Sequence, residues 1–166
     1  AYLTMALGAG SVTPMQMATA YGVFANGGLM TSPTLIAKVT DSKGRLLSHA
    51  VPAEPGEPQR VLDARNAFVM NTLLQEVTRS GTAASARRAL GRADIFGKTG
   101  TTNDAMDAWF AGFHPSLVAV VWIGYDTPRK LGDRETGGGL SLPVWIDYMS
   151  AALKGVPVSE PAAPPG

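Results

Sequence analysis

The 166-residue chain contains no cysteine, which excludes a disulfide framework and a thiolate metal site together. Histidine is nearly as scarce, with His49 and His114 alone. Two lone imidazoles without clustered carboxylates do not make a metal site, and each reads as a surface or turn residue; no metal and no cofactor is expected. Charge is thin in both signs. Lys and Arg number 14 against 13 Asp and Glu, a net charge of +1, so no basic field draws in nucleic acid or an anionic membrane. Long hydrophobic runs are missing as well. The longest, Leu117 to Ile123, falls far short of the roughly 20 apolar residues that span a bilayer as a helix. The opening residues Ala1-Tyr2-Leu3-Thr4 offer neither an initiator Met nor a charged leader. Such a start is expected of a piece of a longer product, with any targeting signal upstream.

What is present describes a globular chain: 45% hydrophobic and 16% charged residues, enough for one domain with a core and too short for two. Thr13-Pro14-Met15-Gln16 is a capping box with proline at the first helical position, and Met17, Tyr21 and Phe24 follow at helical spacing up to the stop Asn26-Gly27-Gly28. Leu35 to Val39 and Arg45 to Leu47 flank Asp41-Ser42-Lys43-Gly44 as a separate β-hairpin. Pro52 to Gln59 reads as a surface linker. A second helix is expected from Ala64 to Arg79, capped by Asp63, with Ala67, Met70, Leu74 and Val77 on one face; a short third runs from Ala83 to Leu90 and stops at Gly91.

Three strand signals come next, Asp94 to Thr102, Ala108 to Phe113 and Leu117 to Tyr125, separated by turns at Asn103-Asp104 and His114-Pro115-Ser116. They predict an antiparallel meander. The third is apolar at nearly every position, which implies burial on both faces and a central place in the sheet. Gly132 to Gly139 is a glycine-rich loop before a last helix capped by Ser141 and ended by Gly155; within it Gly137-Gly138-Gly139 could suggest anion binding but is read as a mobile loop. The fold class is therefore α+β, with residues 1–155 ordered and a disordered Pro/Ala-rich tail over 156–166. Trp109, Phe110, Phe113 and Trp122 are assigned to the sheet core, with a groove-lining role for Trp109 or Phe110 as the alternative. Met5, Met15, Met17 and Met30 are read as core filling.

Chemistry concentrates in Gly97-Lys98-Thr99-Gly100-Thr101-Thr102. A bland reading is an edge strand with a protective lysine and β-favouring threonines. A phosphate-binding loop fails, because Arg92 to Phe96 put five residues where Gly-x4-Gly-Lys-Thr needs four, and because the lysine continues a strand rather than opening a helix. A serine acyl-transfer site fits better. An edge strand pairs with an extended peptide, Gly100 permits close approach, Lys98 supplies a cation, and the hydroxyls of Thr99 and Thr101 can hold a carboxylate. Asp104 and Asp107 flank the strand as turn residues rather than paired acids.

With Asp107-Ala108-Trp109-Phe110-Ala111-Gly112-Phe113 after Lys98-Thr99-Gly100-Thr101-Thr102-Asn103-Asp104, this stretch resembles the class A penicillin-binding proteins, the bifunctional peptidoglycan synthases. The Thr13 to Gly28 segment, the Arg79-Ser80-Gly81-Thr82 turn and Trp122-Ile123-Gly124-Tyr125-Asp126 extend the likeness across Ala6 to Gly155. The resemblance implies the C-terminal portion of a D,D-transpeptidase domain of the penicillin-binding/β-lactamase-like fold, in three motifs: Ser-x-x-Lys, Ser-x-Asn and Lys-Thr-Gly. Lys98, Thr99 and Gly100 match the third, and Thr101 takes the oxyanion-hole and carboxylate role. Lys98 and Thr101 are thus the expected catalytic residues, and Thr99, Gly100, Thr101 and Thr102 the expected substrate contacts.

No serine here has lysine three positions on, and no Ser-x-Asn occurs. The nucleophile is expected on an N-terminal part of the same domain, and this chain alone is expected to be inert or to be a non-catalytic module; a β-lactamase-like hydrolase ranks below both. The resemblance further implies stem peptides and β-lactams as partners, an upstream glycosyltransferase and membrane anchor, and a place on the periplasmic side of the membrane. Loss of the preceding strands would expose an apolar edge and favour self-association.

Overall fold

A computed structural model describes residues 3, 8, 10–49, 59–133, 135–159 and 162–164. Met5, the linker up to residue 58, and residues 160, 161, 165 and 166 of the tail lie outside the described residues. Helix α1, Pro14–Ala25, opens on the reciprocal capping box: Gln16 N–H donates to Thr13 Oγ1 at 3.2 Å and Thr13 N–H to Gln16 Oε1 at 2.8 Å. It ends in Asn26-Gly27-Gly28, where both glycines take positive φ. A pairing that the sequence pattern does not announce follows: β1, Leu29–Met30, meets β4, Gln59–Arg60, antiparallel. Between them stands the hairpin of β2, Lys38–Thr40, and β3, Leu46–His49, closed by the Asp41 carboxylate, which accepts from the N–H groups of Lys43 and Arg45. Its strands are exposed throughout, and Leu35 and Ile36, expected inside the first strand, lie ahead of it and exposed.

Helix α2, Ala64–Arg79, is capped by Asp63 and buries Ala67, Leu74 and Thr78. The third of these was not on the apolar face read from spacing; its hydroxyl donates to the Ile95 carbonyl at 2.8 Å, which satisfies it inside the core. Helix α3, Ala84–Leu90, stops at Gly91 in the left-handed conformation. The meander then forms: β5, Phe96–Thr101, β6, Ala108–His114, and β7, Leu117–Ile123, antiparallel in the order β5-β6-β7. Helix α4, Leu142–Ala152, follows a single π turn at Gly137–Ser141. This is the expected α+β arrangement of a three-stranded antiparallel sheet, flanking helices and a separate hairpin.

Two cores cover the sheet's two faces. On one, Ala83, Ala86 and Ile95 pack with Phe110, Leu142, Trp145, Met149 and Leu153. Phe110 meets Trp145 edge to face at 4.9 Å. The Phe110 ring occupies space left open by the cross-strand pair Gly97 and Gly112, where a Cβ would come within 2.6 and 2.7 Å of it. On the other face Leu74, Phe96 and Phe113 pack with Tyr21 and Phe24 of α1.

Several expectations are corrected here. Among the described residues the middle strand is β6, whose residues are nearly all buried, whereas β7 lies at the edge and is only partly buried. An apolar run reports the environment of two faces, not the number of hydrogen-bonded neighbours. Trp109 and Trp122 do not join the core; they lean on one another at 6.1 Å, and Trp122 remains 36% exposed with its Nε1–H donated to Asp107 Oδ1. Met15 and Met30 are exposed, and among the described residues Met149 is the methionine buried in the core. Ser141 does not cap α4, since its hydroxyl donates to the Ala108 carbonyl at 2.7 Å, and the helix ends before Gly155.

The surface or turn role read for His114 is also overturned. At 3% exposure it sits beside Asp94, at 1%, and Arg92, at 9%. Arg92 grips the Asp94 carboxylate through Nε at 2.9 Å and Nη2 at 2.8 Å, and also donates to the carbonyls of Val156 and Pro157. Ser159 N–H donates to Asp94 Oδ2 at 2.8 Å. The chain read as a disordered tail is therefore held at Val156, Pro157 and Ser159, because these buried charges need the backbone partners it supplies. His114 Nε2 lies 3.1 Å from Asp94 Oδ2, and its Nδ1 accepts from Ser116 N–H.

Burial alone would push the Asp94 carboxyl up, but Arg92 and the Ser159 N–H outweigh it and hold the group below the ordinary carboxylate value. A depressed carboxyl contributes stability that is present above its unfolded value and is lost as pH falls through its folded one. The Asp94→Ala variant strands Arg92 in the interior and is expected to lose about 3–5 kcal/mol in urea unfolding. Asp94→Asn is expected to flatten the acid limb of the stability profile, read as unfolding midpoint against pH below neutrality; an unchanged acid limb would show that Asp94 does not carry it.

Candidate functional site

The Lys98–Thr101 run lies on β5, at one edge of the sheet, so one side of its backbone has no ladder partner among the described residues. Strand alternation divides its side chains. Thr99 pairs with Phe110 and Thr101 with Ala108, on the face carrying Trp145; Lys98 pairs with Ala111 and Gly100 with Trp109, on the other. Lys98 is exposed, and its Nζ donates to the Thr99 carbonyl at 2.8 Å. The cation is thus drawn along its own strand toward the threonines.

Two further segments meet the Thr99 and Thr101 side chains. The first is the short connection from α2 to α3. Ser80 and Gly81 turn the chain by donating N–H to the Glu76 carbonyl, and Ala83 anchors it by burial. The turn needs glycine at position 81, where a Cβ would stand 2.9 Å from Val77 Cα. It delivers the Thr82 hydroxyl to 2.7 Å from the Thr99 hydroxyl. The second is the π turn, whose first N–H, that of Gly137, donates to Thr101 Oγ1 at 3.1 Å. Thr136 caps this turn by accepting from Gly139 N–H. The glycine-rich stretch read as a mobile loop is, over Gly137–Ser141, a packed wall of the site; the missing side chain lets its backbone rest on β5 and β6.

Thr102 stands apart from the other expected residues. Its hydroxyl accepts from Asp107 N–H at 2.8 Å and its own N–H donates to the Asp107 carbonyl, so it closes the β5–β6 connection. Asp104 and Ala105 take left-handed backbone there, in keeping with a turn. The Asp107 carboxylate is occupied by Trp122. Trp109 lies on the face of Lys98, opposite Gly100. The structure thus assembles Lys98, Thr99, Gly100 and Thr101 and adds Thr82 and Gly137. Sequence reading noted the turn that carries Thr82 and weighed the glycines for anion binding, but assigned neither residue to the site, because each is separated from its partner along the chain. Three consecutive glycines directly before a helix were the available signal of a close backbone approach.

An edge strand with an open backbone side, one cation and two pinned hydroxyls can pair with an extended peptide and hold an anionic group beside it. Lys98 Nζ is bonded to a main-chain carbonyl, that of Thr99.

Comparison with known proteins gives the family and the fold. Residues 1–149 match the family described as the penicillin binding protein transpeptidase domain. Penicillin-binding protein 1A of Neisseria flavescens is 51% identical over 168 residues, covering 100% of this chain and 21% of that protein. The 2.6 Å crystal structure of penicillin-binding protein 1A from Haemophilus influenzae superposes with a TM-score of 0.86 at 34% identity, over 98% of this chain and 29% of that one. The PonA1 protein from Mycobacterium tuberculosis in complex with penicillin V gives a TM-score of 0.74 at 27% identity, over 97% of this chain and 43% of that one. The chain spans about a fifth of the length of curated relatives it matches. By its matched residues, its fold and its Lys-Thr-Gly strand, this chain belongs to the penicillin-binding protein transpeptidase family, among the class A members.

Proposed function

We propose that this chain forms the Lys-Thr-Gly wall of a peptidoglycan D,D-transpeptidase, which cross-links stem peptides by serine acyl transfer and is acylated by β-lactams. The observation that carries this reading is the open edge of β5, with Lys98, Thr99 and Thr101 arrayed along it and both hydroxyls held from behind. The donor peptide lies along β5 as an added strand, and Gly100 leaves room for it. Thr99 and Thr101 hydroxyls bind its terminal carboxylate, while the Thr101 N–H points at the oxyanion that forms during attack. Such a donor is typically worth about 3–4 kcal/mol of barrier. Lys98 neutralises the developing charge and biases proton transfer. A solved relative at 27% identity is described in complex with penicillin V, which supports the β-lactam part of the reading.

The nucleophile, on this reading, belongs to a Ser-x-x-Lys segment N-terminal to the residues described, since none occurs in the sequence. That portion also carries the strand that covers the outer edge of β7, and through it the chain connects to a glycosyltransferase and a membrane anchor on the periplasmic side. No described helix is long and apolar enough to cross a membrane. The absent Ser-x-x-Lys equally supports a second reading, that this chain by itself is a folded module without activity and self-associates through β7.

Labelling with a fluorescent penicillin on a denaturing gel tests both. This chain alone is expected to remain unlabelled, and a longer protein or companion chain carrying Ser-x-x-Lys is expected to label; label on this chain alone would overturn the assignment of the nucleophile. In the labelled protein, Thr101→Val removes a hydroxyl bonded to a carboxylate and is expected to slow acylation about tenfold to a hundredfold. An acylation rate equal to that of the unsubstituted protein would remove Thr101 from the site.

A further inference from the structure

The two hydroxyls on β5 differ from ordinary exposed threonines in what stands behind them. A hydroxyl has one proton to give and two lone pairs to accept with. Thr101 Oγ1 accepts from the Gly137 N–H at 3.1 Å. A backbone N–H can only donate, so this contact consumes a lone pair and leaves the Thr101 proton available. The hydroxyl oxygens of Thr99 and Thr82 lie 2.7 Å apart, a distance at which either can be the donor. An anion placed against β5 resolves the choice. Only when Thr82 donates does the Thr99 proton remain for the anion, giving a chain from Thr82 to Thr99 to the anion in which each bond polarises the next.

We propose that Thr82 is a positioning residue for anion recognition on β5. Its hydroxyl supplies to Thr99 what the Gly137 N–H supplies to Thr101, so that both strand hydroxyls present their protons to one carboxylate. This deepens the transpeptidase reading and rests on it. Gly138 lies nearby: a Cβ there would stand 3.4 Å from the Thr82 carbonyl and 3.8 Å from Thr99 Cγ2, so the π turn packs against the Thr82–Thr99 pair as well. Lys98 Nζ, on the Thr99 carbonyl, places positive charge on the main chain of the same strand residue. The ligand class this selects is an acceptor-only monoanion, the free carboxylate, over its ester, which brings no charge to strengthen the two donated bonds.

The test uses the full-length protein and two probes, a penicillin with its free carboxylate and the methyl ester of the same penicillin. Acylation rates are resolved into a binding constant and a first-order step. In Thr82→Val the shape is kept and the donor removed. Acylation by the free acid is expected to fall roughly fivefold to tenfold, mainly in binding, while the ester reacts as it does with the unsubstituted protein. Thr82→Ser is expected to restore the preference for the acid. Equal loss with both probes, or a preference unchanged from the unsubstituted protein, would overturn the role of Thr82. Thr82→Ala, smaller and free of any steric conflict, repeats the measurement should the valine variant fold poorly, judged by its thermal midpoint. Failure of the unsubstituted protein to be acylated by the free acid would instead strike the transpeptidase reading itself, and this inference with it.

Discussion

Gly137 lies so close to the β5–β6 ladder that a methyl group there would sit 2.2 Å from the Trp109 carbonyl and 2.5 Å from that of Gly100. Neither neighbour can yield, because both are main-chain atoms in a hydrogen-bonded sheet. The approach places a backbone N–H on Thr101, starts the π turn that leads into α4, and lets the Ser141 hydroxyl reach the Ala108 carbonyl. From there α4 sends Trp145 over Phe110, beneath the sheet that carries the site. A side chain at position 137 would separate these layers, and the wall behind the threonines would go with them.

The far end of the same two strands is fixed by a different interaction. Asp94 precedes β5 and His114 ends β6, and Arg92 clasps the carboxylate while reaching the carbonyls of Val156 and Pro157. Taking such charges out of water is unfavourable unless each finds partners, and here the chain beyond α4 provides them. The β5–β6 pair is therefore held at one end by buried charge and at the other by a glycine contact. Between these points it presents an open edge. A site that binds a peptide as an added strand requires that rigidity, since a strand that shifts by one residue turns every side chain to the opposite face.

Much of this was legible in the residues, and what was not has physical reasons. The capping box at Thr13 and Gln16, the stops at Gly27 and Gly91, and the turn chemistry of Asp41 are local interactions whose partners sit within a few positions, and all appear where the pattern puts them. The meander was legible because its strands are short, apolar and separated by turn residues. The place of β7 at the edge of the described sheet was not, since an apolar run does not count its neighbours. Trp109 and Trp122 were misplaced because large aromatic residues serve a core and a half-exposed face equally well. His114 looked like a turn residue because its partners, Arg92 and Asp94, are twenty or more positions away.

The sequence by itself determined the local elements, the α+β class and the Lys98-Thr99-Gly100-Thr101 run, because helix caps, strand alternation and a short motif depend on residues near one another in the chain. Tertiary structure alone decided that Thr82 stands behind Thr99, that Gly137 stands behind Thr101, that Thr102 serves a turn, and that the segment past α4 is tied to Asp94. Each of these, apart from the turn at Thr102, joins residues 17 to 65 positions apart, and no periodicity in a chain encodes which of its distant hydroxyls and amides the packing of two cores will bring together.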